Sequence, residues 1–249
     1  MRGIKANKLI IGVFVSMLIL SGCSKERQVE RSFDETLNMY PTPNLEDWYE
    51  REGYRDEDFK GNDKGTWTLL SAIDIPKGDK LVSEGMVLYI NRNTKKTTGY
   101  YFITEIFEEE VGVDSKSKRY PVKMEKNKIT ATKKINDPKL KEKIEQFKFF
   151  SQYGNFTDLN KYEKKGIGYN SNAPLYRAEY QLTNENQNVK KLRKYFNIPD
   201  KKAPILELKG RGDLKGSSIG SKELQFKFKK DGDLLSFSDS IDYIPSEED

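Results

Sequence analysis

Apolar residues in this chain fall into three patterns, and each predicts a different kind of segment. The first is a largely apolar run over residues 9–20 (LIIGVFVSMLIL), just after Arg2, Lys5 and Lys8. Its 12 residues are too few to cross about 30 Å of hydrocarbon as a helix. The second pattern is helical spacing. Phe33, Leu37 and Tyr40 stand at i, i+4 and i+7, with Pro41 and Pro43 as the stop. Leu45, Trp48 and Tyr49 share one face of a short helix with Asn44 as its N-cap and Gly53 as its end. Asp137-Pro138 opens a helix with the stripe Leu140, Ile144 and Phe147. Val189, Leu192 and Phe196 mark another, stopped by Pro199.

The third pattern is alternation. It predicts strands over residues 67–75, 86–90, 100–107, 120–124, 128–132 and 175–182, and a last sheet segment from Ile205. Leu224, Phe226 and Phe228 alternate with charges and return across Asp231-Gly232 to Leu234, Leu235 and Phe237. Asp-Gly between alternating strands is a strong hairpin signal. Asn91–Thr94 and Glu125–Asn127 predict two further hairpins. Strands come in hairpin runs with helices between the runs, so regular strand–helix alternation is missing. The predicted class is α+β, a mainly antiparallel β-sheet built from hairpins with several short helices packed on it. The aromatic group Phe149, Phe150, Tyr153 and Phe156 reads as core, with a ligand-stacking platform as the alternative.

The apolar run ends in Leu20-Ser21-Gly22-Cys23. A cationic start, a short apolar core and small residues before a cut make a secretory signal. The last four residues resemble a bacterial lipobox, in which the cysteine thiol is acylated and becomes the new N-terminus. Cys23 is the only cysteine in the chain. Cleavage between Gly22 and Cys23 therefore predicts a protein anchored by lipid to the outer face of the bacterial cytoplasmic membrane; an uncleaved signal anchor is the other reading. The predicted organisation is a signal over 1–22, a lipidated N-terminus with a short polar tether over 23–32, and one α+β domain over 33–249. Two packed lobes dividing near 137–150 are also compatible with the pattern.

Charge alters the picture once the signal is set aside. The first 22 residues hold three of the 44 cations and none of the 39 anions, so the rest carries 41 against 39, net +2. Both signs alternate closely, as in Glu50-Arg51-Glu52, and no basic stripe suits nucleic acid. Histidine is absent from all 249 residues. Ser-His-Asp and Cys-His chemistry is thereby excluded, and metal sites lose their usual nitrogen and sulfur ligands. No cofactor is expected. A carboxylate-pair enzyme acting on glycan stays open in principle, but no acidic spacing singles one out, and the expectation is a protein without enzymatic activity.

The residues match a known family along the whole mature chain. The stretches are Phe33-Asp34-Glu35-Thr36-Leu37 with Tyr40-Pro41, Asn44-Leu45-Glu46-Asp47, Glu52-Gly53-Tyr54-Arg55-Asp56, Glu84-Gly85-Met86-Val87-Leu88, and Asn91-Arg92-Asn93-Thr94. Later come Lys143-Ile144-Glu145-Gln146-Phe147-Lys148-Phe149-Phe150 and Gly212-Asp213-Leu214-Lys215-Gly216-Ser217-Ser218. In these the chain resembles the staphylococcal tandem lipoproteins. The resemblance implies a cell-surface lipoprotein linked to host interaction: its lipid stimulates an innate lipoprotein receptor, and its protein part is associated with entry through a host-cell surface partner. It carries no catalytic residues over, and among functional positions only Cys23.

Arg211-Gly212-Asp213 spells the integrin-binding tripeptide in a Gly-rich stretch and is a candidate cell-binding loop, though a family turn also explains Gly212 and Asp213. The same stretch lacks the spacing of a phosphate-binding loop. Asp231-Gly232-Asp233 lacks the remaining ligands of a calcium loop. Basic clusters at Lys133-Lys134, Lys190–Lys194 and Lys201-Lys202 read as solvated faces, with contact to anionic lipid or wall polymer as the alternative. A binding module for an envelope ligand or small molecule is the second functional expectation.

Overall fold

A computed structural model describes residues 25–246 apart from 56–57, 110–111, 158, 171, 174, 200–201, 213–221 and 231–232. Its frame is a ten-stranded sheet, every neighbouring pair antiparallel. The strands are β1 (Thr66–Lys77), β2 (Lys80–Asn91), β3 (Lys96–Glu109), β4 (Gly112–Glu125), β5 (Lys128–Ala131), β6 (Glu163–Asn170), β7 (Leu175–Gln181), β8 (Ile205–Arg211), β9 (Lys222–Lys230) and β10 (Asp233–Ile244). Their spatial order is β5-β4-β3-β2-β1-β10-β9-β8-β7-β6. Two hairpin runs, β1 to β5 and β6 to β10, thus meet where the first and last strands pair, Thr66 opposite Ile244 through Asp74 opposite Ser236.

The predicted turns hold for local reasons. Lys126 and Asn127 both have positive φ (49° and 57°) between Glu125 and Lys128, the two-residue geometry that matches sheet twist. Asn91 Oδ1 accepts from the Thr94 N–H at 3.0 Å in the β2–β3 turn. Asp137 Oδ1 accepts from the N–H groups of Lys139 and Leu140 at the start of α2 (Pro138–Glu145), as its sequence predicts. Asn44 caps a 3-10 helix, Leu45–Tyr49, in the same way. Helix α3 (Gln187–Phe196) ends at Asn197, whose left-handed φ of 53° stops it two residues before Pro199.

Period-two alternation divides the sheet into two faces. Trp67, Leu69, Ile73, Met86, Leu88, Ile90, Tyr101, Phe226, Phe228, Leu235 and Phe237 lie buried on one face, beneath the helices. Phe150 sits at the centre of this layer, with ring centroids 5.4 Å from Phe226, 5.4 Å from Phe237 and 5.8 Å from Tyr40. Phe149, Phe150 and Phe156 are buried and Tyr153 nearly so. The aromatic group is core, not an exposed platform.

The N-terminal segment corrects one expectation. Residues 25–32 are not a polar tether: helix α1 covers 25–37 continuously. Val29 is fully buried and stands four residues before Phe33 and eight before Leu37, so all three share one stripe. A single valine among charges is a weak periodic signal, and its burial depends on a sheet that forms far downstream. α1 crosses the covered face from β6 to β10. Glu30 pairs with Lys164 of β6 at 2.5 Å, Phe33 packs on Tyr176 of β7 at 5.2 Å, Lys222 of β9 donates to Thr36, and Tyr40 just beyond the helix donates to Asp239 of β10 at 2.6 Å. Several strands are also longer than expected or new: residues 80–85 and 112–119 extend β2 and β4, β1 runs on to Lys77, β3 starts at Lys96, β10 runs on to Ile244, and β6 has no counterpart in the sequence reading.

Candidate functional site

The uncovered face of β6 to β9 carries a dense charge ladder. On it stand Arg177 and Glu179 of β7, Glu207 and Lys209 of β8, and Glu223 and Lys227 of β9, because each lies between two buried residues of its strand. Glu207 is only 2% exposed, roofed by the long side chains around it. It accepts from Lys227 Nζ at 2.6 Å, pairs with Arg177 Nε, and lies 3.5 Å from Lys209 Nζ. Burial pushes its carboxyl up, but Lys227, Lys209 and Arg177 together outweigh this and hold it below the ordinary value of 4.5.

Glu207→Gln removes the anion that three cations share. The expected loss is about 1–2 kcal/mol at neutral pH, less than for a deeply buried pair because Arg177 and Lys209 stay half-exposed. A depressed folded value means that the contribution is complete above the unfolded value and fades as pH falls through the folded one. Urea unfolding of both proteins at pH 7 and below pH 4 checks this, since the deficit of the variant should shrink in acid.

Beyond the ladder, at the end of the same face, the sheet forms an open pocket of about 510 Å³. Leu175, Arg177, Lys209, Arg211 and Glu223 supply its side-chain walls, with Asn170 at the rim. The hollow exists because β6 has glycine there. Gly168 lies opposite Arg177, and a Cβ on it would meet nothing within 4 Å. Gly210 serves the opposite need: a Cβ there would come within 2.4 Å of the Tyr176 ring, which packs across it. Tyr176 is 2% exposed, lines this pocket, and its hydroxyl has no hydrogen-bond partner among the described residues. Arg211 is exposed and has no ion pair among the described residues, unlike Arg177 and Lys209. Three cations, one carboxylate and a leucine suit an anionic, partly apolar ligand.

The candidate tripeptide is only partly in view. Arg211 is the last residue of β8, in register with Leu175, and Gly212 follows with φ 110°. Asp213 lies outside the described residues, as do Gly22, Cys23, Asp231-Gly232 and Lys201. Arg211 therefore belongs to a strand end and a pocket wall. Of the predicted basic clusters, Arg193 is buried and donates to the Pro199 carbonyl and to Asn184, Lys190 pairs with Glu185, and Lys191 donates to the Tyr153 carbonyl at 2.9 Å. Among the described residues no three His, Cys, Asp or Glu side chains are grouped to hold a metal ion, and no helix is long and apolar enough to cross a membrane.

Two buried polar groups escaped the sequence reading. Asp239, 1% exposed, accepts from Tyr40 Oη at 2.6 Å and from Ser71 Oγ. Ser71 Oγ in turn accepts from the Phe150 N–H at 3.0 Å. Burial pushes the Asp239 carboxyl up to about 7. Lys222, 8% exposed beneath α1, is pushed down to about 7, again by burial. The alternation of β10 gave a signal for the first: Asp239 occupies the same phase as Leu235, Phe237, Ile241 and Tyr243.

The chain is similar to known proteins over nearly its whole length. The Csa1 family model matches residues 25–246. An uncharacterized lipoprotein of Staphylococcus epidermidis (strain ATCC 12228 / FDA PCI 1200) is 54% identical, covering 96% of this chain and 97% of its own. Uncharacterized lipoproteins of Staphylococcus aureus are 52% identical in strain bovine RF122 / ET3-1, covering 98% of both chains, and 52% in strain USA300, covering 98% and 99%. Among solved structures, a porin-like protein from Bacteroides uniformis covers 72% of this chain and 96% of its own, at 8% identity and a TM-score of 0.24, too low to carry an argument. Matched from its first helix to its last strand, and by staphylococcal lipoproteins end to end, the chain belongs to the Csa1 family.

Proposed function

We propose that this protein is a lipid-anchored surface protein, acylated at Cys23 on the outer face of the cytoplasmic membrane, whose folded domain acts by binding a partner on host cells and has no chemistry of its own. The lipobox and the lipoprotein relatives support the anchor. In the same reading the acyl chains are what an innate lipoprotein receptor recognises. The observation that carries a binding role is the pocket at the end of the uncovered face. Arg177 and Lys209 of its walls are tied to Glu207, and Arg211 is left exposed.

Cys23→Ala is expected to accumulate as an unprocessed precursor that takes up no labelled fatty acid; normal labelling of the variant overturns the anchor. The unacylated domain should bind host cells saturably, and Arg211→Ala should weaken that binding. Activity confined to the acylated form overturns the host-binding role. The size of the pocket, about 510 Å³, favours a small envelope ligand as the second reading, and saturable binding to isolated cell envelope rather than to host cells would select it.

A further inference from the structure

The anchor and the basic pocket stand at the same edge of the sheet. Nine strand spacings of about 4.8 Å put β5 roughly 40 Å from β6. α1 begins its crossing at β6: Lys25 Nζ lies 5.8 Å from the centroid of the Tyr169 ring. Cys23 precedes Lys25 by two residues, a span of at most about 7 Å. An acylated Cys23 therefore holds the β6 edge against the bilayer, with no length of chain for a tether. At that edge Leu175, on the face of the pocket, is 44% exposed, and Tyr169, on the opposite face beside Lys25, is 38% exposed. Beside Leu175 lie Arg177, Lys209 and Arg211.

We propose that in the anchored protein this pocket faces the bacterium's own membrane and takes the headgroups of anionic phospholipids, fixing how the domain stands on the bilayer and leaving the pocket to a host partner only when the domain is off that surface. The inference rests on the acylation of Cys23. Its chemistry is local. Tyrosine and leucine suit the interface between headgroups and hydrocarbon, where an amphipathic ring has both its environments. A guanidinium matches a phosphate with two parallel donors. Glu207 and Glu223 share Arg177 and Lys209, so Arg211 is the cation of this pocket with no ion pair among the described residues. Gly168 leaves the space that a headgroup needs. The acyl chains supply attachment; the pocket supplies orientation.

The test uses the acylated full protein, with acyl chains on Cys23 verified by mass spectrometry of the N-terminal peptide. It is reconstituted in vesicles of phosphatidylcholine alone and in vesicles containing phosphatidylglycerol, and its lysines are footprinted with an amine-reactive label. In the anionic vesicles Lys25, Lys165 and Lys209 should label about fivefold more slowly, the factor that roughly 1 kcal/mol per cation gives. Lys118 and Lys128, on β4 and β5, should not change. Leu175→Ser combined with Arg211→Glu should abolish the difference, with an unchanged urea midpoint as the control for folding. Acylated protein whose near and far lysines label alike in both vesicles overturns the proposal while leaving the anchor intact. Absence of acyl chains on Cys23 overturns the anchor and the proposal together.

Discussion

Asp239→Ala is expected to destabilise the protein by about 3–5 kcal/mol, the cost of opening a buried polar cluster rather than of losing one contact. Tyr40 Oη and Ser71 Oγ both donate to this carboxylate, and both residues are buried. The Tyr153 hydroxyl, buried and without a partner among the described residues, is a further polar group in the same layer. Asp239→Asn keeps the shape but converts one accepting oxygen into a donor, so one hydroxyl proton loses its acceptor. Its expected cost is about 1–2 kcal/mol.

The two variants also separate packing from titration. A carboxyl raised to about 7 binds its proton more tightly in the folded chain than at its ordinary 3.8. The stability it contributes is therefore complete below the ordinary value and is lost as pH rises to about 7, a change of up to about 4 kcal/mol across that window. Lys222 has the opposite sense. Lowered from 10.5 to about 7, it costs stability below pH 7, and stability returns as pH climbs toward 10.5. Asp239→Asn should flatten the acid side of the stability profile, and Lys222→Met the alkaline side. Urea midpoints measured from pH 4 to pH 9 check both; a parallel profile for the Asn variant would mean that Asp239 does not titrate in this range.

Phe150→Ala is expected to cost about 3–5 kcal/mol, the range for removing a fully buried phenyl ring. The ring touches Tyr40, Tyr153, Phe156, Phe226 and Phe237, five aromatics from three parts of the chain, so the cavity has no single neighbour able to fill it. Phe150→Leu keeps most of the volume and should cost less than half as much. Because the Phe150 N–H donates to Ser71 Oγ, which donates to Asp239, the two sites are coupled. The double variant of Phe150→Ala with Asp239→Ala should fall short of the sum by about 0.5–3 kcal/mol. Urea unfolding of all four proteins gives that term, provided the slope with denaturant is unchanged.

Much of this fold was legible because its signals are local. Asp137-Pro138, Asn44 and the turn at Lys126-Asn127 each act within a few residues, and each stands where the sequence puts it. Alternation in β1, β7, β9 and β10 was equally plain, since one face of each is apolar. β6 was missed because its residues, EKKGIGYN, open on three charges and then place Gly166 and Gly168 on the face opposite Ile167 and Tyr169; it is a strand only because β7 offers a free edge. Val29 was missed because one apolar residue among eight polar ones has no period.

The site divides along the same line. Sequence alone determined the hairpin runs, the caps, the single acylation candidate Cys23 and the absence of histidine chemistry, since these depend on residue identity and short spacing. Only the tertiary structure decided that β1 pairs with β10, that Glu207 lies under Arg177, Lys209 and Lys227, and that Arg211 walls a pocket over Gly168. The ladder partners come from strands up to 50 residues apart, β1 and β10 pair across as many as 178, and Asp239 meets Tyr40 across 199. Burial and charge at such contacts follow from which strands become neighbours, a choice made by closing long loops around one core and not by any segment of the chain on its own.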